Sequence, residues 1–172
     1  MGALKTKGGK VISGDVSNVT ALTEIVKGHD TILSFLGGAQ IGEEKNIVEA
    51  AKAAGTVKWI VPSQYGSDQS PFLSDPCFFA AKIDIFEAIK KAGIDYTLIF
   101  AGYFYEFAIG PQTLLTGLDA EKGVIYDFGD SRKMSLIATS DIAKVIPALV
   151  EILTASVCPR DIIGSSQQES EH

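Results

Sequence analysis

Four short segments at the ends of apparent strands carry the residues best suited to hold a ligand. They are residues 14–15 (GD), 36–38 (LGG), 62–66 (PSQYG) and 101–104 (AGYF). Glycine lets a backbone approach a flat or charged ligand closely, although for any one segment a simple turn is the better interpretation. Because ligands in an open parallel sheet bind at the carboxyl ends of the strands, the set as a whole indicates a ligand crevice.

One basic side chain, Lys82, lies near the start of a predicted helix in the run FFAAKIDIF, which is apolar apart from Lys82 and Asp84. Next to a crevice, a lysine amine can hydrogen-bond a ribose, or act as acid or base if burial lowers its pKa. The plainer interpretation is a surface lysine whose stem packs on apolar neighbours while its charge stays in water. The spacing alone favours that plainer interpretation.

The elements that must position these residues alternate between strands and helices. Apolar runs predict strands at 11–16, 31–36, 57–61 and 96–100, and periodic patterns predict helices at about 17–27, 42–54 and 76–92. Ser17 is the expected first N-cap, and Gly28, Gly55 and Gly93 are the expected stops. Such alternation is typical of a Rossmann-like α/β fold, a parallel sheet with helices on both faces.

Beyond Gly102 the pattern changes to a small C-terminal α+β region. Residues 124–128 and 134–138 predict two strands around a turn, and residues 140–153 a last helix. We expect a nucleotide-binding core over residues 1–110, a partial substrate-binding region over 111–160 and a flexible tail over 161–172.

The composition narrows the classes of function. The chain has 172 residues, 46% of them hydrophobic, and a net charge of -6, which fits a globular domain and argues against nucleic acid as a partner. Two cysteines without a CxxC spacing and two histidines predict no metal site. There is neither a signal-like leader nor an apolar run of about 18 residues, so we expect a cytoplasmic protein that does not contact membranes.

An ordered series of motifs adds a family resemblance. The segments at 14–15, 36–38, 46–55 (NIVEAAKAAG) and 62–66 precede Lys82, and 92–97 (AGIDYT), 102–104 (GYF) and 141–143 (DIA) follow it. Over about residues 10–153 this series resembles the NmrA-like and isoflavone-reductase-like branch of the atypical short-chain dehydrogenases. The resemblance implies an NADP- or NAD-binding Rossmann fold with a small substrate region.

The resemblance also implies roles for individual residues. Lys82 would hold the nicotinamide ribose and serve as general acid/base. Phe78 stands where the wider superfamily carries a tyrosine, and it cannot donate a proton. The other implied cofactor contacts are Asp15 and Val16 near the adenine, Leu36, Gly37 and Gly38 on the ribose and phosphate side, Pro62 and Ser63 beside the nicotinamide, and Phe104 over it.

One departure from the family concerns the Gly-rich turn GxxGxxG, whose glycines bring the backbone to the pyrophosphate. The sequence contains no such turn before residue 11, so we expect an N-terminally truncated Rossmann sheet with an exposed apolar edge. Pairing of that edge with a second copy of the chain makes a homodimer one open alternative.

The amino-acid sequence leaves three functions open. The first is an NAD(P)H-dependent reductase that acts on a small aromatic or carbonyl-bearing substrate, with Lys82 as acid/base. The second is a non-catalytic dinucleotide-binding regulatory module of the NmrA-like kind. The third is an inactive truncated family member whose Lys82 and glycines are only inherited.

Overall fold

The structure is a computed structural model that describes residues 6–68, 80–109, 118–119, 122–125, 135–155 and 161–163. Two compact units are present. The first comprises Met1–Ser63 and Phe72–Tyr96, and the second comprises Gln64–Pro71 and Thr97–His172.

The first unit is built on a three-stranded parallel sheet. Its strands are β1 (Thr31–Leu33), β2 (Trp59–Val61) and β3 (Asp95–Tyr96), in the order β1-β2-β3. Parallel neighbours need crossover connections, and the helices Glu44–Ala54 and Ala80–Ala92 supply them. The helix Val19–Val26 precedes β1, and a 3-10 helix, Gly38–Glu43, leads into Glu44–Ala54. This arrangement confirms the predicted Rossmann-like α/β fold.

The core of the first unit lies where these helices meet the sheet. Apolar residues recur at helical spacing, so each helix buries one stripe. The strand β2 contributes Ile60 and Val61, which are 1% and 0% exposed. The buried residues that cluster around Ile60 are Leu22, Val26, Val48, Ala50, Ala51, Val57, Ile85 and Ile89.

In the described residues, the second unit holds three strand pairs. The strand β4 (Leu98–Phe100) pairs with β9 (Asp161–Ile163), and β5 (Tyr103–Phe104) pairs with β8 (Leu136–Ile137), both in parallel. The strands β6 (Leu118–Asp119) and β7 (Val124–Ile125) are antiparallel. The helices Tyr105–Ile109 and Thr139–Ala155 complete the described part of this unit.

The strand predicted at residues 11–16 is wrong. These residues have no strand conformation, and Ile12 is 46% exposed. The Asp15 carboxylate accepts a hydrogen bond from the Ser17 backbone N–H at 2.9 Å, and the Asp15 carbonyl accepts from Asn18 N–H at 3.1 Å. Such local bonds favour a turn over an extended chain.

The first N-cap is also shifted. Asn18, rather than Ser17, accepts a hydrogen bond from the Ala21 N–H at 3.0 Å and begins the helix Val19–Val26. Either residue type can cap a helix, so the sequence alone does not distinguish them. The predicted stop at Gly55 is confirmed: with φ at +68°, it ends the helix Glu44–Ala54 in the left-handed conformation.

Two strand predictions are divided differently in the structure. The strand predicted at residues 96–100 is divided between two sheets, because Tyr96 pairs with Ile60 whereas Leu98 pairs with Asp161. The strands predicted around residues 124–138 do not pair with each other over their described parts. Instead, Val124–Ile125 pairs with Leu118–Asp119, and Leu136–Ile137 pairs with Tyr103–Phe104. Residues 69–79 and the tail from residue 164 lie outside the described residues.

Candidate functional site

The carboxyl ends of β1 and β2 are tied together by two hydrogen bonds. The Ser34 N–H donates to the Val61 carbonyl at 2.9 Å, and the Ser63 Oγ donates to the Leu36 carbonyl at 2.6 Å. Pro62, which lies between Val61 and Ser63 in the sequence, is fully buried, and Ser63 is 7% exposed. The structure therefore brings three predicted site residues, Leu36, Pro62 and Ser63, to one edge of the sheet.

A buried carboxylate, Glu44, completes this edge. It is the first residue of the helix Glu44–Ala54 and is only 1% exposed. Its Oε1 accepts a hydrogen bond from the Ser63 N–H at 2.9 Å. Among the described residues, neither its Oε2 nor the buried Ser34 Oγ has a hydrogen-bond partner. The helix N-terminus favours a negative charge at this position.

The second charged group of the site is Lys82, which is half-buried on the helix Ala80–Ala92. Burial lowers the pKa of the Lys82 amine, and the negative charge of Glu44 opposes that change. A half-buried lysine also fits the plainer interpretation, in which the stem packs on apolar neighbours while the charge stays in water, so the functional role of Lys82 stays a prediction.

The pKa of the Glu44 carboxyl is raised, and burial is the main cause. The Ser34 hydroxyl, the Ser63 N–H and the Lys82 ammonium oppose that rise, in this order. The Ser34 hydroxyl lies near enough to act on the carboxylate, although the geometry falls short of a hydrogen bond. Desolvation thus pushes both Glu44 and Lys82 toward their neutral forms, and each charge partly restores the other.

Other charged groups on the same two helices have partners at the surface. Lys45 Nζ lies 2.8 Å from Asp84 Oδ2, with both side chains about half exposed. Such an exposed pair contributes about 0–1 kcal/mol. It links the helix that begins at Glu44 to the helix that carries Lys82.

The predicted adenine-side residues Asp15 and Val16 lie in the turn before the first helix. The Val16 carbonyl accepts a hydrogen bond from Asn46 Nδ2 at 3.1 Å, and the same amide donates to Glu43 Oε2 at 2.6 Å. Asp15 is exposed, and its hydrogen bonds with Ser17 lower the pKa of its carboxyl. Asn46 therefore anchors the 11–16 turn to the helix Glu44–Ala54.

The two glycines after β1 leave open space. Gly37 and Gly38 are exposed, and a Cβ at either would have no heavy atom within 4 Å. Gly38 has φ at +58° and begins the 3-10 helix. The backbone here is accessible to a ligand.

Gly102 differs from these two. With φ at +75°, a Cβ there would lie 2.9 Å from the Ser135 carbonyl oxygen. It is the approach of the chain's own backbone that requires glycine at this position.

Phe104 belongs to the second unit. It is half-buried in β5, and its ring centroid lies 5.8 Å from that of Phe107 at an interplanar angle of 44°. Its role over a nicotinamide stays a prediction.

The residue that the sequence analysis missed is Glu44. Its signal was present, because Glu44, Val48 and Ala51 are spaced i, i+4 and i+7 and all are buried. A carboxylate on the buried stripe of a helix is rare unless it is paired.

Within the described ranges, no three or more His, Cys, Asp or Glu side chains are placed to hold a metal ion. In the same residues, no helix combines the length and apolar character required to cross a membrane.

Known proteins similar to this chain were found in sequence and in structure. Isoflavone reductase homolog IRL of Zea mays is 35% identical over 138 residues, which are 77% of this chain and 44% of the relative. Phenylcoumaran benzylic ether reductase IRL1 of Ginkgo biloba is 34% identical over 137 residues, which are 76% and 44%. The chain therefore spans less than half the length of these curated relatives.

A solved structure shares the fold. AtPrR2 with NADP+ and (+)pinoresinol superposes with a TM-score of 0.68 at 23% identity, over 94% of this chain and 54% of that chain. A model of the NmrA-like family matches residues 1–162. These matches confirm the resemblance carried by the sequence motifs: the chain belongs to the NmrA-like family.

Proposed function

We propose that this chain forms the nicotinamide-side part of an NADP(H)-dependent reductase, in which Lys82 is the acid/base for reduction of a small aromatic or carbonyl-bearing molecule. The observation that carries the proposal is the half-buried Lys82, on which the charge of Glu44 acts, together with the hydrogen bond from the Ser63 N–H to the buried Glu44 at the joined ends of β1 and β2. Membership of the NmrA-like family and similarity to named reductases support it.

The residues present fit the nicotinamide and ribose end of such a cofactor. Leu36 is half-buried at the end of β1 and would offer an apolar contact, and Lys82 would offer a cation for ribose hydroxyls. Pro62 and Ser63 are buried behind this edge, where the Ser63 hydroxyl bonds to the Leu36 carbonyl. The exposed Gly37 and Gly38 leave room for a backbone approach on the phosphate side. The choice of NADP(H) over NAD(H) rests on the NADP+ complex of the structural neighbour.

Lys82 would do two things in this site. As an ammonium, its Nζ would donate a hydrogen bond to a ribose hydroxyl and would supply the proton that the reduced substrate takes up. The bound cofactor would supply the hydride. Burial lowers the pKa of the Lys82 amine, which favours release of this proton to the substrate.

Replacement of Lys82 by methionine tests this role. Methionine keeps most of the side-chain volume but removes the charge and the proton, so we expect loss of NADPH-dependent turnover by about 10²-fold or more. The matched control is Lys91→Met, an exposed lysine on the same helix, which should keep full activity. Equal activity in the two variants, measured with a panel of aromatic and carbonyl substrates, would refute the catalytic role of Lys82.

The non-catalytic module remains a distinct outcome of the same experiment. Binding of NADPH without turnover of any substrate, and with the same affinity in Lys82→Met, would support a regulatory binder instead. In that case the buried site would have a structural role only.

A further inference from the structure

We propose that Asn46 is a positioning residue for the adenylate half of the cofactor: its side-chain amide clamps the turn of residues 11–16 beside the exposed glycines that follow β1. The turn and these glycines would then form one wall of the dinucleotide crevice. The inference rests on the proposed function for the class of ligand, a dinucleotide, and extends it from the nicotinamide end to the adenylate end. The clamp itself consists of two hydrogen bonds within the first unit.

The first step of the argument is how the turn of residues 11–16 is held. Two of its hydrogen bonds are local, since the Asp15 carboxylate accepts from the Ser17 N–H and the Asp15 carbonyl accepts from the Asn18 N–H. These bonds shape the turn but do not attach it to the sheet or to the later helices. Among the described residues, the hydrogen bond that attaches it runs from Asn46 Nδ2 to the Val16 carbonyl, at 3.1 Å and across 30 positions of the chain.

The second step is why an amide suits this position. Asn46 Nδ2 also donates to Glu43 Oε2 at 2.6 Å, and an amide nitrogen has two hydrogens, one for each of these acceptors. The reverse orientation of the amide would place its oxygen against a carbonyl and a carboxylate, so the two acceptors fix the orientation. A hydrogen bond to a carboxylate is stronger than one between neutral groups. Glu43 therefore holds the amide that holds the turn.

The third step is where the clamp places the turn. Glu43 is the last residue of the 3-10 helix Gly38–Glu43, which follows Gly37 beyond the carboxyl end of β1. The clamp thus fastens the turn to the segment whose exposed glycines have open space around them. Ligands of an open parallel sheet bind at this end of the strands. The turn and the glycines therefore border the same end of the sheet.

The fourth step is the chemistry that this wall offers. Asp15 is exposed on the turn, and a carboxylate only accepts hydrogen bonds. It suits the amino group of an adenine or the hydroxyls of a ribose, which are donors. The open backbone at Gly37 and Gly38 suits the close approach of a phosphate group. Because Lys82 is proposed for the nicotinamide end, this wall would hold the adenylate end, and Asn46 would act on ligand affinity rather than on the chemical step.

The test compares Asn46→Ala with the wild-type chain by two measurements. Hydrogen exchange followed by mass spectrometry reports opening of the turn, and loss of the clamp should raise the exchange rates of residues 11–16 about tenfold. Calorimetric titration uses 2′,5′-ADP, which carries the adenylate half of NADPH without its nicotinamide. Its dissociation constant should rise about tenfold, because an unclamped turn occupies the binding position for a smaller fraction of the time.

The matched control is Glu49→Ala, which truncates an exposed side chain on the same helix. We expect its exchange rates at residues 11–16 and its dissociation constant for 2′,5′-ADP to equal those of the wild type. Trp59, in β2 of the first unit, reports by fluorescence whether each variant is folded. If Asn46→Ala does not fold, Asn46→Ser replaces it. The serine hydroxyl has a single hydrogen and cannot serve both acceptors, so it should shift both measurements in the same direction.

Unchanged exchange rates at residues 11–16 in the folded Asn46 variant would overturn the inference, and so would an unchanged dissociation constant for 2′,5′-ADP. A wild-type chain that does not bind 2′,5′-ADP would overturn it as well. Weaker binding of 2′,5′-ADP by Asn46→Ala, in a chain that turns over no substrate with NADPH, would support the inference while the proposed reductase fails. Where turnover is present, Asn46→Ala should raise KM for NADPH with kcat nearly unchanged. A merely structural role would lower stability and leave that KM as it is.

Discussion

The replacement Ile85→Ala tests how the helix that carries Lys82 is held. Ile85 is 0% exposed and packs in the cluster with Ile89, Ile60 and Val48. Because residues three apart share a helix face, its burial is what turns Lys82 toward the interior. Loss of a fully buried isoleucine side chain removes about 1.5–3 kcal/mol of transfer free energy. With the cavity that remains, the free energy of unfolding should fall by about 2–5 kcal/mol.

Urea unfolding followed by Trp59 fluorescence measures this change. The chain has a single tryptophan, and it lies in β2 of the first unit, so the signal reports the unit that contains Ile85. For a slope of about 2 kcal/mol per molar urea, the transition midpoint should fall by about 1–2.5 M.

The control is Ile12→Ala, in the same unit but with the isoleucine 46% exposed. A loss of under about 1 kcal/mol is expected there, because much of the side chain is already in water. If the two variants lose the same stability, the packing of the Lys82 helix described above is wrong.

Three further changes have expected outcomes. Asn18→Ala removes the cap that accepts the Ala21 N–H and should cost about 1 kcal/mol by the Trp59 unfolding assay. Gly102→Ala places a Cβ 2.9 Å from the Ser135 carbonyl at φ +75°. Gly102→Ala should lower the free energy of unfolding by about 2 kcal/mol. The loss should exceed that of the control Gly93→Ala, where φ is +72° but the added Cβ would have no atom within 4 Å. Thermal unfolding followed by circular dichroism compares the two variants, and equal losses of stability would contradict the close contact at Gly102. The raised pKa of Glu44 means that the folded state holds its proton more tightly than the unfolded state. The stability contributed by this proton is therefore fully present below the pKa of Glu44 in the unfolded state. It is lost as pH rises from about 4.5 through the higher pKa of the folded state, and the free energy of unfolding falls by at most about 1.4 kcal/mol per pH unit. Unfolding curves from pH 4 to 8 should show this loss relative to Glu44→Gln, and parallel curves would contradict it.

The sequence predicted the elements that carry strong periodicity and clear stops. The helix Glu44–Ala54 ends at Gly55 as predicted, because the left-handed conformation there suits glycine. The strands β1 and β2 appear in their predicted runs but are shorter, since pairing with neighbours rather than apolar content sets their ends.

The failures have equally specific causes. Residues 11–16 read as a strand from Val11, Ile12 and Val16, but the hydrogen bonds of Asp15 bend the chain into a turn. Thr97 lies where the predicted fourth strand passes from one sheet to another, and no local pattern marks that change.

The candidate site was predictable in part. Leu36, Pro62 and Ser63 follow strands, so the topology of a parallel sheet is enough to bring them to one edge. Glu44 was not predicted, because a glutamate in the first turn of a helix is usually an exposed capping charge. Its buried oxygen accepts a hydrogen bond from the Ser63 N–H, a contact with a distant part of the sequence that no local pattern marks.

The most direct test of the central claim is a titration of the wild-type chain with NADPH, followed by nicotinamide fluorescence and by melting temperature together. The account predicts saturable binding and, at 100 times the dissociation constant, stabilisation of the fold by about 2.7 kcal/mol. NADH should bind more weakly. A chain that unfolds cooperatively but shows neither fluorescence change nor stabilisation with NADPH would contradict the claim that the ends of β1 and β2, with Lys82, form a dinucleotide site.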